Sequence, residues 1–416
     1  MTTRLHFDEL VARQVSNERL SYFHKVGSSL NAALRPRRPV LSVENGSVRF
    51  QNLVGSALLP TGEIVEVAPK VETTDNWPLA VVQLLEPSTR IAVTGSQRSQ
   101  ASNRRDDLTA ALALEYARRL ESALSTSGPL ETYERPTTRS KRLNGHLDVT
   151  RWLRTAPLDP TTFVVTRDEL TPRNDFTRGL SLVAGWLGRT ASGELGLRLR
   201  RLQTAVIPAS PVPTYVNPAV ARQRIPSQWA KYRPAWDIAA PLLRHLSVVG
   251  DPGRAAGLEV AVEPWPLLET ALERALRAMA ATIDGVTVDP KTNHTLLSRN
   301  GSRSVSVIPD GAIRLHGEVR ATFECKYTRP GRNPYDDHVH QALATAAALR
   351  SPSSVLVYPG DDPPVRYDVA GFLGSPVELI TVGLSLFSYK RGSGDALRAD
   401  RLWRLFQDRG AAPPLA

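Results

Sequence analysis

Residues 308–327 of this chain read IPDGAIRLHGEVRATFECKY, a run that favours a β-sheet. Apolar and β-branched residues flank a Pro309-Asp310 pair and, fourteen residues after Asp310, a Glu324-Cys325-Lys326 tripeptide. Such runs predict adjacent strands. Side chains on a strand repeat every two residues. Glu324 and Lys326 therefore share one face, and Cys325 points the other way, toward the core. The pattern places an acid and a base on one surface, delivered beside the carboxylate of Asp310.

The rest of the chain sets the frame for these strands. At 416 residues it is too long for one ordinary core, and two or three domains are expected. A hydrophobic share of 41% with 22% charged residues describes a soluble globular protein. Lys and Arg number 52 against 41 Asp and Glu, a net charge of +11 that suits a polyanionic partner such as DNA. Arg far outnumbers Lys, however, and Ala and Pro are abundant, as GC-rich coding produces, so charge alone assigns no partner. The single cysteine, Cys325, excludes an internal disulfide and a Cys-cluster zinc site. The N-terminal segment has charges where a signal peptide needs an apolar core, and no apolar run reaches membrane-spanning length. A cytoplasmic protein with no membrane association is expected.

Periodicity divides the chain further. Residues 50–71 alternate around Pro60-Thr61-Gly62 and predict a hairpin. Residues 77–85 predict a short helix, and 91–106 a polar loop. Leu108, Leu112, Tyr116, Leu120 and Leu124 recur at helical spacing up to Gly128-Pro129. Residues 130–153 predict strand, loop and strand with a basic run from Arg139 to Arg142. A strand at 163–166, a helix at 180–187 and a Pro-rich connector at 206–216 follow. Periodicity breaks between about 246 and 262. Beyond it come a helix from Trp265 to Met279, β-rich runs, a helix from Asp336 to Leu349 and a strand at 353–360. The expected class is mixed α/β (α+β). The expected division is 1–100, β-rich with a finger-like hairpin for partner binding; 101–250, helical and mixed; and 251–416, a domain of order αβββαβ. The tail after Gly410 is expected to fray.

The paired carboxylates and lysine are the pattern of the PD-(D/E)xK nucleases. In-line attack of water on a phosphodiester needs a divalent cation, and Mg²⁺ (or Mn²⁺) prefers carboxylate oxygens and water. Asp310 and Glu324 are the expected core ligands, with the backbone carbonyl of Cys325 as a third. Lys326 would orient the water or stabilise the charged transition state. Glu269 and Glu273, on the helix before the strands, are both candidates for a further carboxylate. Gln341, on the helix after them, would hold the site or touch the DNA backbone. The pair His338 and His340 reads as solvated or DNA-facing rather than metal-binding, and Lys70 as a loop charge.

The whole chain resembles the McrC family, the nuclease subunits of McrBC-type modification-dependent restriction systems. Asn52-Leu-Val-Gly55 through Ile64-Val-Glu-Val-Ala-Pro-Lys70 is similar to the family's N-terminal hairpin, followed by its tryptophan, here Trp77. Arg142-Leu-Asn-Gly-His-Leu-Asp148, Val165-Thr-Arg-Asp-Glu-Leu-Thr171 and Leu267-Leu-Glu269 match further blocks, the last favouring Glu269 over Glu273. Pro309-Asp310 and Glu324-Cys-Lys-Tyr327 match the nuclease motif. The sequence departs from the family after Pro172 and at Thr345, where a tyrosine is common. The resemblance implies a partner, a McrB-like AAA+ GTPase hexamer whose pore receives the N-terminal half of the chain and whose hydrolysis the chain stimulates. No GxxxxGK[ST] loop occurs here, so nucleotide hydrolysis must come from that partner. Two other readings stay open: a non-cleaving activator of an AAA+ NTPase, and a stand-alone nuclease. Cutting two strands with one site per chain also calls for transient dimerisation of the nuclease domains.

Overall fold

The computed structural model describes residues 4–71, 76–94, 108–191, 193–208, 210–246, 259–299, 302–370 and 377–407. The first stretch comprises β1 (Arg4–Asp8), β2 (Arg13–Gln14), α1 (Asn17–Leu34), β3 (Leu41–Glu44), β4 (Ser47–Phe50), β5 (Val54–Leu58), β6 (Ile64–Ala68), α2 (Trp77–Leu84) and β7 (Ile91–Thr94). The expected hairpin is present as β5 and β6. Gly62 takes φ +87° in its turn, which a side chain would resist. The hairpin is no free finger. It lies inside a five-stranded sheet, with β1 parallel to β6 on one side and a later strand beside β5 on the other. Every residue of β5 is buried. Strands β2, β4 and β3 form a small separate sheet, and α1 packs Phe23, Leu30 and Leu34 into the core, where Phe23, Phe7 and Phe50 meet edge to face. Residues 91–94, expected as loop, are the strand β7; the rest of that expected loop, like the tail, lies outside the described residues.

The middle stretch begins with α3 (Leu108–Ser127), whose Leu108, Leu112, Tyr116 and Leu120 face is buried as its spacing requires. It continues with β8 (Thr132–Glu134), β9 (Thr137–Ser140), β10 (His146–Leu147), α4 (Val149–Thr155), β11 (Phe163–Thr166), β12 (Glu169–Thr171), α5 (Asp175–Thr190), α6 (Gly193–Ala205) and α7 (Arg233–Leu246). The strands form small antiparallel sheets ordered β10-β11-β9 and β12-β8. Residues 149–153, expected as strand, open α4 instead. Asp148 caps it by accepting from the Arg151 amide at 3.0 Å. The departure after Pro172 has a structural role. Asn174 accepts from the Thr177 amide and Thr177 returns to the Asn174 amide, a capping box that starts α5.

The last stretch holds β13 (Glu259–Val262), α8 (Trp265–Thr282), β14 (Val286–Val288), β15 (His294–Arg299), β16 (Ser302–Val307), β17 (Gly311–Leu315), β18 (Glu318–Cys325), α9 (Asp336–Leu349), β19 (Ser353–Tyr358), β20 (Val365–Val369), β21 (Val377–Gly383) and α10 (Ser393–Gln407). A six-stranded sheet runs β14-β17-β18-β19-β21-β20. β14, β17 and β18 are antiparallel neighbours; β18, β19 and β21 are parallel. α9 makes the crossover that parallel neighbours need. The expected order of helix, three strands, helix and strand is met by α8, β14, β17, β18, α9 and β19. The hairpin β15–β16 is an addition, a two-stranded sheet of its own.

β13 does not join that sheet. It pairs antiparallel with β5 and β7 and so completes the N-terminal one. Gly55 permits the approach. It stands opposite Ala261 at φ +113°, and a Cβ there would lie 2.4 Å from the Val260 carbonyl oxygen. Accordingly, the described residues up to Thr94, the first turn of α3 and everything described from β13 to α10 form one compact unit. Residues 113–246 form the second. The expected division had separated 1–100 from 251–416; the contacts join those two pieces. No helix among the described residues is long and apolar enough to cross a membrane.

Candidate active site

Asp310 enters β17 under tight control. Its amide donates to the Phe323 carbonyl at 3.1 Å, and its Oδ2 accepts from the Cys325 amide at 2.7 Å. The two motifs therefore hold each other. Glu324 lies on β18, fully buried, and Lys326 follows just beyond the strand, with its Nζ 3.9 Å from Glu324 Oε2. Gln341 of α9 bridges them. Its Oε1 accepts from Lys326 at 2.5 Å, and its Nε2 donates to Glu324 Oε2 at 2.9 Å. Amphipathic α8 buries Leu268, Leu272 and Leu276 and brings in Glu269. Glu273, one turn on, pairs with Arg277 instead. The structure thus gathers Asp310, Glu324, Lys326, Gln341 and Glu269 and leaves Glu273 out.

Sequence reasoning missed Lys291, in the turn after β14. Its Nζ donates to Glu269 Oε2 at 2.7 Å. No spacing rule ties Lys291 to the motifs, so nothing in its surroundings signalled it. Burial alone would lower Lys291, but its bond to Glu269 wins and its pKa rises.

The carboxyls repel one another in a dry setting. Burial, then the charge of Glu269, pushes Asp310 up to about 6, against the pull of the Cys325 amide. Burial, then the charge of Asp310, pushes Glu324 up to about 8. Burial, then the charges of Asp310 and Glu269, also drives the Cys325 thiol well up. Glu324 Oε1 is buried with no hydrogen-bond partner. An orphaned, buried acceptor among mutually repelling carboxyls fits a hard divalent cation such as Mg²⁺. Among the described residues no three acidic, thiol or imidazole side chains converge into a ready cage. Asp310 and Glu324 would hold the cation, with the Cys325 carbonyl and Glu269 as further oxygen donors.

Glu324's folded pKa lies above its ordinary 4.5, so the metal-free chain should lose stability as pH climbs from there through about 8. A cation must expel that proton to bind. Between about pH 6 and 8, Mg²⁺ affinity should therefore tighten about tenfold per pH unit with release of about one proton, and below about 6 the Asp310 proton adds a second. Calorimetric titration in two buffers of different ionisation heat measures both. Release of no proton would show that Glu324 does not engage the cation.

His338 packs its ring against Tyr335 and Tyr358, with centroids 5.2 and 6.1 Å away, and burial lowers its pKa. His340 is exposed. Lys70 is not a loop charge. It lies 3.6 Å from Glu9 Oε1, with Glu9 fully buried, and 4.4 Å from the centroid of the Tyr327 ring. The Tyr327 hydroxyl donates to Glu9 Oε2 at 2.9 Å, so the residue after Lys326 is moored to the N-terminal sheet. Burial raises Glu9 and lowers Lys70, and their mutual attraction opposes both shifts. Lys70→Met should cost about 3 kcal/mol by stranding a buried carboxylate. The double variant with Glu9→Gln should recover most of it, as urea unfolding of the cycle will report.

By class, then, this is a mixed α/β protein with a carboxylate–lysine centre at the end of a sheet strand. The chain belongs to the family described as "McrBC 5-methylcytosine restriction system component", whose model matches residues 48–359. The McrC-like blocks read from the sequence agree with that membership. A solved structure described as a half-complex from a tetradecameric assembly of Thermococcus gammatolerans McrB AAA+ hexamers with bound McrC includes a chain of similar fold. It is 18% identical, with a TM-score of 0.64, and the match covers 97% of this chain and 100% of that one. A second structure, the Thermococcus gammatolerans McrBC complex, matches at 17% identity and a TM-score of 0.47, covering 68% of this chain and 89% of its own. No curated protein matches.

Proposed function

We propose that the chain is the Mg²⁺-dependent DNA endonuclease subunit of a McrBC-type restriction system, recruited to DNA by an AAA+ GTPase hexamer that it stimulates. The observation that carries this reading is the shared face of Glu324 and Lys326 beside Asp310, with one buried Glu324 oxygen left unpaired. When bound, the cation would polarise the phosphoryl oxygen and acidify a water. Asp310 and Glu324 would hold it. Lys326, steadied by Gln341, faces the same space and would orient the water or offset charge on the phosphate. Family membership and likeness to the Thermococcus chain support a McrB-type partner. The buried β5–β6 hairpin offers no finger for it. The unit at 113–246 is the remaining candidate within the N-terminal half that the resemblance assigns to the partner.

The test assays plasmid cleavage and nucleotide hydrolysis separately, with the partner, methylated DNA and Mg²⁺ present. Cleavage that needs metal and partner supports the proposal. Stimulated hydrolysis without any cleavage would leave the chain an activator only, and metal-dependent cleavage without a partner would make it a stand-alone nuclease.

A further inference from the structure

The hairpin β15–β16 has no place in the sheet that builds the site, yet its base is tied to that site. Lys291, just before β15, bonds Glu269 at 2.7 Å. Val307 ends β16, and only Ile308 and Pro309 separate it from Asp310. α9, which carries Gln341, packs against both strands. The ribbon's position beside the carboxylates is therefore set by covalent continuity and by packing.

Its composition is one-sided. From Pro290 to Pro309 there is no Asp or Glu, while Arg299 and Arg303 supply cations within the ribbon, Lys291 being engaged by Glu269, and Ser and Thr recur between them. The bounding carboxylates are already engaged, Asp289 with Arg314 at 2.7 Å and Asp310 in the site. Arg299 is exposed. Leu297 and Val305 face each other across the strands and stand 56% and 41% exposed, and Ile308 stands 50% exposed. A cationic, hydroxyl-rich ribbon with an apolar pair in the open matches a surface that offers phosphates outside and base edges within.

We propose that β15–β16 is a β-ribbon that enters a groove of duplex DNA beside the scissile phosphate, which rests on the nuclease reading above. The major groove admits a two-stranded ribbon. Six residues of strand extend about 20 Å, so its contacts fall within about six base pairs of the cut. A second copy of the chain fits less well. A two-fold contact of ribbon on ribbon pairs residues of this segment only with one another, and the segment holds no carboxylate to answer Arg299.

The test measures binding of the full chain to a fluorescent duplex in EDTA, across 50–200 mM salt, for Arg299→Ala, Arg299→Glu and Arg299→Lys. Arg299→Ala should weaken binding about fivefold and flatten the slope of log K against log salt by about 0.9, the effect of one lost phosphate contact. Arg299→Glu should weaken it more than about tenfold, and Arg299→Lys should restore the slope. Unchanged affinity and slope in the first two variants would overturn the proposal, as would a wild type without salt-dependent binding. So would loss of self-association with DNA binding intact, which marks a contact between chains. Binding is read here without cutting. A chain that binds through Arg299 but does not cut with partner and Mg²⁺ supplied refutes the nuclease reading and leaves the ribbon standing as a DNA contact.

Discussion

Asp310→Ala is expected to abolish DNA cleavage, by about a thousandfold or more, while the chain still folds and assembles with its partner. The residue combines two duties. Its carboxylate is a candidate cation ligand, and its Oδ2 holds the Cys325 amide at 2.7 Å between Glu324 and Lys326. Asp310→Asn separates these duties, because the amide oxygen can still accept that bond while the charge is gone. Both variants should be inactive; Asp310→Asn should melt close to wild type, whereas Asp310→Ala leaves the Cys325 amide without its acceptor and should melt somewhat earlier while still folding. Cleavage at near wild-type rate with the partner present would rule out the assignment of the site. Lys326→Ala should behave alike, with the added loss of the bond to Gln341.

Gly55→Ala should unfold the chain, at a cost of about 4 kcal/mol or more, although Gly55 is remote in sequence from every site residue. The added Cβ would meet the Val260 carbonyl oxygen at 2.4 Å, the Ala261 Cα at 2.9 Å and Leu108 at 2.9 Å, on a backbone at φ +113°. Two of these obstacles are backbone, so relief requires parting β5 from β13. α8 follows β13 directly and carries Glu269, so the damage reaches the site. Thermal melting and limited proteolysis will show it; a melting point within about 2 °C of wild type would contradict the account.

The site was more legible than the fold around it. Glu324 and Lys326 share a face because strand periodicity is local, and Asp310 lies close enough in sequence to arrive on the next strand. Gln341 and Glu269 were reachable through the order of elements and the resemblance to McrC. What escaped was long-range. Glu-Val-Ala-Val at 259–262 reads as any short buried strand, and its partners lie far back at Gly55 and Ala92. The same alternation that marked β5–β6 as a hairpin could not reveal neighbours on both sides, so it passed for a finger. Lys70 looked like a loop charge because Glu9 and Tyr327, which bury it, are distant in sequence. α4 is too short for its period to stand out against the strands beside it.

The amide of Val260 donates to the hydroxyl of Thr109 at 3.2 Å. One residue lies where the chain leaves the first compact unit, and the other where it returns. A segment whose ends are clasped in this way behaves as a cassette. It can be lengthened, trimmed or traded between genes at little entropic cost to its host, because loop closure depends only weakly on length. Lineages of this family could therefore refit the middle of the chain to a different partner while the carboxylates and lysine stay as they are.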